Sequence, residues 1–182
     1  PLDLSLDEGE CVCVCGPSGS GKTLLLRAIA DLDPSEGEVY LDDVERHRLS
    51  GPEWRRRVAY LAAEPAWWAA TPRAHMVAVP DAPLAALGLS QALLDRPLEV
   101  LSTGERQRLA LVRVLSREPG VLLLDEPTAA LDARFVAAAE DVIGRYRQRC
   151  GAAIVWVTHD VAQSNRVGGR VLHLPSGRMS AG

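Results

Sequence analysis

Eight consecutive residues, Gly16-Pro17-Ser18-Gly19-Ser20-Gly21-Lys22-Thr23, fit the pattern GxxxxGK(S/T) at every position. Before them Glu10 to Cys15 reads as a buried strand, and after them Thr23 to Ala30 reads as a helix. Strand, glycine turn and helix in that order are the context the pattern requires, and they set aside an accidental Gly/Ser-rich turn. Glycines let backbone N–H groups converge on phosphate oxygens, the helix start adds the positive end of its dipole, and the Thr23 hydroxyl is suited to Mg²⁺. Lys22 is the one lysine among 20 basic residues, the rest being arginine. A compact ammonium on a flexible stem enters a tight backbone cradle as a point charge between β- and γ-phosphates, where a flat guanidinium fork does not. A nucleotide is the expected ligand.

The rest of the chain supports one α/β domain of 182 residues with a mostly parallel sheet. Strands are expected at Gly37 to Asp42, Val58 to Ala62, Val121 to Leu124, Ala153 to Val157 and Arg170 to Leu174. Helices are expected at Thr103 to Leu115, from Asp132 to about Arg149, and after Asp160, with a closing turn at Pro175-Ser176-Gly177. Val121 to Leu124 is apolar throughout, as central parallel strands are. Between Ala66 and Leu101, Pro72, Pro80, Pro83 and Pro97 forbid a long helix, so an irregular, partly helical insertion is expected there.

No apolar run approaches the roughly 20 residues that span a bilayer, and no charged-then-apolar leader opens the sequence. A cytoplasmic protein is expected. With a net charge of −4 and scattered arginines, no nucleic-acid partner is expected. The cluster Arg55-Arg56-Arg57 reads as a solvated helix end before a strand. Cys11, Cys13 and Cys15 alternate onto one face of a strand and are expected to pack as reduced, buried thiols.

Two more motifs carry chemistry. Leu122-Leu123-Leu124-Asp125-Glu126-Pro127 sets two carboxylates at the carboxyl end of a central strand, where ligands gather in open α/β sheets. Asp125 is suited to hold Mg²⁺ through its water shell, and Glu126 to orient and deprotonate a water attacking the γ-phosphate. Leu101-Ser102-Thr103-Gly104-Glu105 opens a helix with a capping box, Ser102 with Glu105. That start reads either as a cap alone or as a second phosphate-binding helix terminus.

The succession of phosphate loop, Ser102-Thr103-Gly104-Glu105, Leu-Leu-Leu-Asp-Glu-Pro-Thr, Ala130-Leu131-Asp132 and Val157-Thr158-His159-Asp160 resembles the ATP-binding-cassette (ABC) family. The resemblance runs from about residue 2 to 175. It implies a P-loop NTPase fold, with residues 1–64 and 116–182 as a RecA-like core and 65–115 as a reduced helical subdomain bearing the signature helix. It implies an ATPase using ATP and Mg²⁺, in which Gly16 to Leu24 hold the phosphates and Thr23 and Asp125 the metal. Glu126 is implied as the catalytic base and His159 as a switch residue contacting the γ-phosphate. Two copies would pair head to tail, Ser102, Thr103, Gly104 and Glu105 of one closing on the phosphate loop of the other, with Asp132 organising the contact. The dimer would power a separate integral-membrane permease from the inner face of the membrane.

The chain departs from the family pattern at identifiable places. Ala63 stands where the family has a glutamine that senses Mg²⁺ and couples to the membrane partner, with Glu64 beside it. Thr103 replaces a usual Gly, Ala129 a common Ser, and no aromatic suited to stack on adenine precedes the phosphate loop. Either the domain is short at its N-terminus or adenine is held by other contacts. The alternative reading is a nucleotide-gated switch or binding module with weak or no hydrolysis. Trp67-Trp68 are expected either as exposed anchors for a partner or as buried residues of the insertion.

Overall fold

In a computed structural model of the chain, residues 2–175 are described. Five parallel strands form the central sheet, β1 (Cys11–Cys15), β4 (Val58–Leu61), β5 (Val121–Asp125), β6 (Ala153–Val157) and β7 (Arg170–His173), in the order β4-β5-β6-β1-β7. Side chains along each strand alternate between two apolar layers. Cys11, Cys13, Leu122, Leu124, Ile154 and Trp156 enter the larger layer, together with α4 (Thr103–Leu115) and α5 (Ala133–Cys150). Val12, Val14, Leu123, Val155 and Val157 enter the other, with α1 (Lys22–Ile29) and α2 (Gly51–Arg57). The fold is therefore α/β with helices on both faces. The cysteine ladder is packing: all three thiols of β1 are buried.

Two strands expected as one differ. Gly37 to Asp42 is a two-residue strand, β2 (Tyr40–Leu41), paired antiparallel with β3 (Val44–Glu45). Asp42 and Asp43 turn the chain with φ of 49° and 62°, the pair of positive values that a tight hairpin needs. Aspartate tolerates that region better than most residues, and the reversal ends the strand before Asp42. The triple arginine does end a helix, α2, which is started by a reciprocal cap between Ser50 and Glu53. Trp54 of α2 is buried, its indole N–H donating to the Ile29 carbonyl at the end of α1 (2.8 Å).

Between β4 and α4 the prolines act as expected. The segment holds one short helix, α3 (Asp81–Ala86), and 3₁₀ turns at Pro72–His75, Gln91–Asp95 and Leu98–Val100. The two tryptophans divide: Trp67 packs against the larger core beneath the Arg113 guanidinium, 4.4 Å from its ring, whereas Trp68 is 72% exposed. Helix α6 (Val161–Val167) follows Asp160, whose carboxylate caps the Ala162 N–H. In the closing turn expected at Pro175-Ser176-Gly177, Ser176 and Gly177 lie outside the described residues.

Candidate phosphate-binding site

Four loops leave the carboxyl ends of β1, β4, β5 and β6, and three of them meet in one cleft of about 470 Å³. Gly16, Ser18, Gly19, Gly21, Lys22, Thr23 and Leu24 line it from the β1 loop, Glu126 from the end of β5, and His159 from the end of β6. The glycines are dictated by space and by dihedral angle. A Cβ on Gly16 would stand 2.6 Å from the Leu174 carbonyl oxygen, and Gly21, which caps α1, sits at φ 92°. Inside the loop the Lys22 ammonium donates to the carbonyls of Gly16 and Pro17, both at 2.9 Å. Ser20 Oγ is buried with no hydrogen-bond partner among the described residues. A cationic head held by loop carbonyls at the wall of the cleft fits an anionic ligand that completes its bonds.

At the end of β5 the two carboxylates part company. Asp125 continues the strand and is buried, accepting a hydrogen bond from the Tyr60 hydroxyl (3.0 Å). Glu126 leaves the strand at φ 45°, a costly conformation for a residue with a Cβ, and its N–H donates to the Val157 carbonyl (3.1 Å). That turn carries the Glu126 side chain into the cleft, where Oε2 lies 3.2 Å from His159 Nδ1. The Thr158 hydroxyl accepts from the Asp160 N–H (3.0 Å), which fixes the loop that presents His159. Hard oxygen donors, the Thr23 hydroxyl opening α1 and the Asp125 carboxylate, are chemically suited to Mg²⁺.

Other residues singled out in the sequence stay outside the cleft. Ser102, Thr103, Gly104, Glu105 and Asp132 do not line it, and neither do Pro17, Ser20 and the buried Asp125. Ser102 caps α4 through the expected box: its N–H and hydroxyl donate to Glu105 Oε2, both at 2.8 Å, and its Oγ accepts from the Glu105 N–H. These bonds hold the Glu105 carboxyl below the usual carboxylate range, the Ser102 backbone N–H contributing most. Asp132 caps α5 by accepting from the Phe135 N–H (3.2 Å). Gly104 packs close to the turn that leads to Asp132, so the two exposed features lie side by side: a Cβ there would stand 3.3 Å from the Ala130 carbonyl. Ala63 and Glu64 are exposed and do not line the cleft.

Tyr60 was not singled out from the sequence. Its alternation within β4 puts it on the face opposite Ala59 and Leu61, and a tyrosine on a half-buried strand needs a partner for its hydroxyl. Which partner depends on the order of strands in the sheet, and the sequence does not display that order.

The family model described as ABC transporter matches residues 1–129. Protein STAR1 of rice (Oryza sativa subsp. japonica) is 38% identical over 98% of this chain and 55% of its own length. The aliphatic sulfonates import ATP-binding protein SsuB 2 of Paracoccus denitrificans is 39% identical over 97% of this chain and 71% of its own. Among solved structures, the ATP-binding cassette MJ0796, in a dimeric post-hydrolysis state bound to ADP and Pi, superimposes with a TM-score of 0.83 at 28% identity. That match covers 96% of this chain and 84% of the MJ0796 chain.

Proposed function

Since this chain belongs to the ABC transporter family, we infer that it is the ATP-binding and ATP-hydrolysing subunit of a transporter, driving a separate membrane permease by ATP-dependent dimerisation. The observation that carries this reading is the split between the cleft and the signature. Phosphate loop, Glu126 and His159 converge in one cleft, while the capped start of α4 and Asp132 stand exposed outside it. A second copy placed head to tail supplies the missing wall. No helix of the described residues is long and apolar enough to cross a membrane. Similarity to an import ATP-binding protein supports a separate permease as the partner that holds the subunit at the cytoplasmic face.

Within this reading residues 1–64 and 116–182 form the RecA-like core and 65–115 the reduced subdomain that carries the signature. Lys22 exchanges its bonds to the Gly16 and Pro17 carbonyls for β- and γ-phosphate oxygens, and the start of α1 adds its dipole. Thr23 and Asp125 would hold Mg²⁺, which would supply charge neutralisation to the phosphates. Glu126 orients the attacking water and accepts its proton, the strained backbone aiming the carboxylate into the cleft. His159, within reach of that carboxylate, contacts the γ-phosphate and steadies the base. From the partner copy, Ser102 and the Gly104 N–H meet the same phosphate. Catalysis is then positioning and electrostatic stabilisation of a phosphoryl group in flight.

Light scattering on Glu126→Gln with and without MgATP tests the proposal. A blocked base should trap the closed dimer, doubling the molar mass only when MgATP is present. A monomer under both conditions overturns the composite site. Ala63, in place of the glutamine, favours the switch-module reading, and phosphate release by the unmodified chain separates the two, since a switch releases phosphate slowly or not at all.

A further inference from the structure

Asp125 is only 2% exposed, so water gives its carboxylate little direction. Among the described residues one hydrogen bond reaches it, from the Tyr60 hydroxyl to Oδ2 at 3.0 Å. The sheet dictates this meeting. Strands β4 and β5 are parallel neighbours with Tyr60 opposite Leu123, and alternation places Asp125 on the same face as Leu123, above α1. The Tyr60 ring packs against the apolar layer shared by β5, α1 and α2, which fixes the position of its hydroxyl. An ionised carboxylate only accepts hydrogen bonds, so the hydroxyl is the donor.

We propose that Tyr60 is a positioning residue for the divalent-cation site, which occupies Oδ2 of Asp125 and so leaves Oδ1 as the oxygen that serves the cation and its water shell. The proposal rests on the reading of Asp125 as the metal-side carboxylate. A carboxylate with both oxygens free rotates about its terminal torsion, which is broad and roughly two-fold. A fixed donor on one oxygen removes that freedom before the cation arrives. Groups that orient a metal ligand in this way are worth about tenfold to a hundredfold in metal affinity. Tyr60 touches neither nucleotide nor water in this scheme and acts only through Asp125.

Tyr60→Phe keeps the ring and its packing while removing the hydroxyl. The full chain is saturated with ADP and titrated with Mn²⁺, free Mn²⁺ being read by electron paramagnetic resonance. The expected result is a loss of Mn²⁺ affinity of about tenfold to a hundredfold, with ADP affinity in EDTA equal to that of the unmodified chain. Unchanged Mn²⁺ binding overturns the proposal, and so does an equal loss of ADP affinity in EDTA, which would mark a general disturbance of the cleft. Asp125→Asn in the same titration distinguishes two failures. If it loses Mn²⁺ while Tyr60→Phe does not, Tyr60 alone is misassigned; if it binds Mn²⁺ as the unmodified chain does, the reading of Asp125 falls as well.

Discussion

Lys22 holds the phosphate loop shut on itself through two carbonyls of that same loop, so removing its ammonium does two things at once. The loop loses the contacts that organise it, and the proposed nucleotide ligand loses the charge that would compensate its phosphates. Lys22→Ala is expected to weaken binding of a fluorescent ATP analogue by more than about a hundredfold, since charge-assisted bonds to two phosphates contribute about 1.5–3 kcal/mol each. Lys22→Arg should fail nearly as badly despite keeping the charge, because the planar fork is too wide for the space between the Gly16 and Pro17 carbonyls. Titration of both variants by fluorescence anisotropy checks the pair, and tight binding by Lys22→Arg would show that charge alone suffices. Glu126 makes the complementary point. Its positive φ places the carboxylate of the proposed base in the cleft at a cost of about 1–3 kcal/mol that the surrounding sheet sustains.

At the scale of elements, α4 shows how a local cap and a proposed ligand-binding terminus coincide. The Ser102–Glu105 box satisfies the first turn of α4 and depresses the Glu105 carboxyl. A carboxyl depressed in the folded state stabilises the fold above its unfolded value, and that contribution is lost as pH falls through the folded value. Ser102→Ala is expected to cost about 1 kcal/mol, lowering Tm by about 2–4 °C for a chain of this size. It should also return the Glu105 carboxyl part of the way toward the ordinary carboxylate range, the backbone N–H at position 102 still donating, which NMR titration reads directly. The same helix shows what a sequence makes legible. The helix Thr103–Leu115, the strand, glycine turn and helix around Lys22, and the place of Asp125-Glu126 at a strand end are read correctly because each is contiguous, with its cap, glycine or strand end written within a few residues. The β2–β3 hairpin escapes because its two central residues are aspartates and not the usual Asn-Gly, and its strands are too short for a period to declare itself. Tyr60 escapes because its partner lies 65 residues away on a neighbouring strand.

Across the whole molecule, the segment 65–115 is tied to the sheet-bearing part by a stack that no single stretch of sequence contains. Phe135, at the start of α5, has the buried Arg108 guanidinium of α4 over its ring at 3.6 Å, and on another side it closes on Gly88, where a Cβ would lie 2.8 Å from the ring. Arg108 Nε has no hydrogen-bond partner among the described residues, and burial lowers the guanidinium's pKa, so the aromatic face carries much of its stabilisation. Phe135→Ala is expected to cost about 2 kcal/mol and to raise amide hydrogen exchange in α3 and α4 while leaving the phosphate loop as protected as before. Uniform loss of protection over the whole chain would mean that the stack supports the fold at large and is no joint between its two parts.

The order of the sheet also governs the timing of synthesis. Strand β1 lies between β6 and β7, with Cys11 opposite Ile154 and Val12 opposite Arg170, so the strand that feeds the phosphate loop has both its partners near the far end of the chain. A ribosome releases β1 with two unpaired edges and three thiols long before either neighbour exists. Throughout that interval the nascent strand is exposed to mispairing and oxidation, hazards that late long-range pairing imposes on parallel sheets.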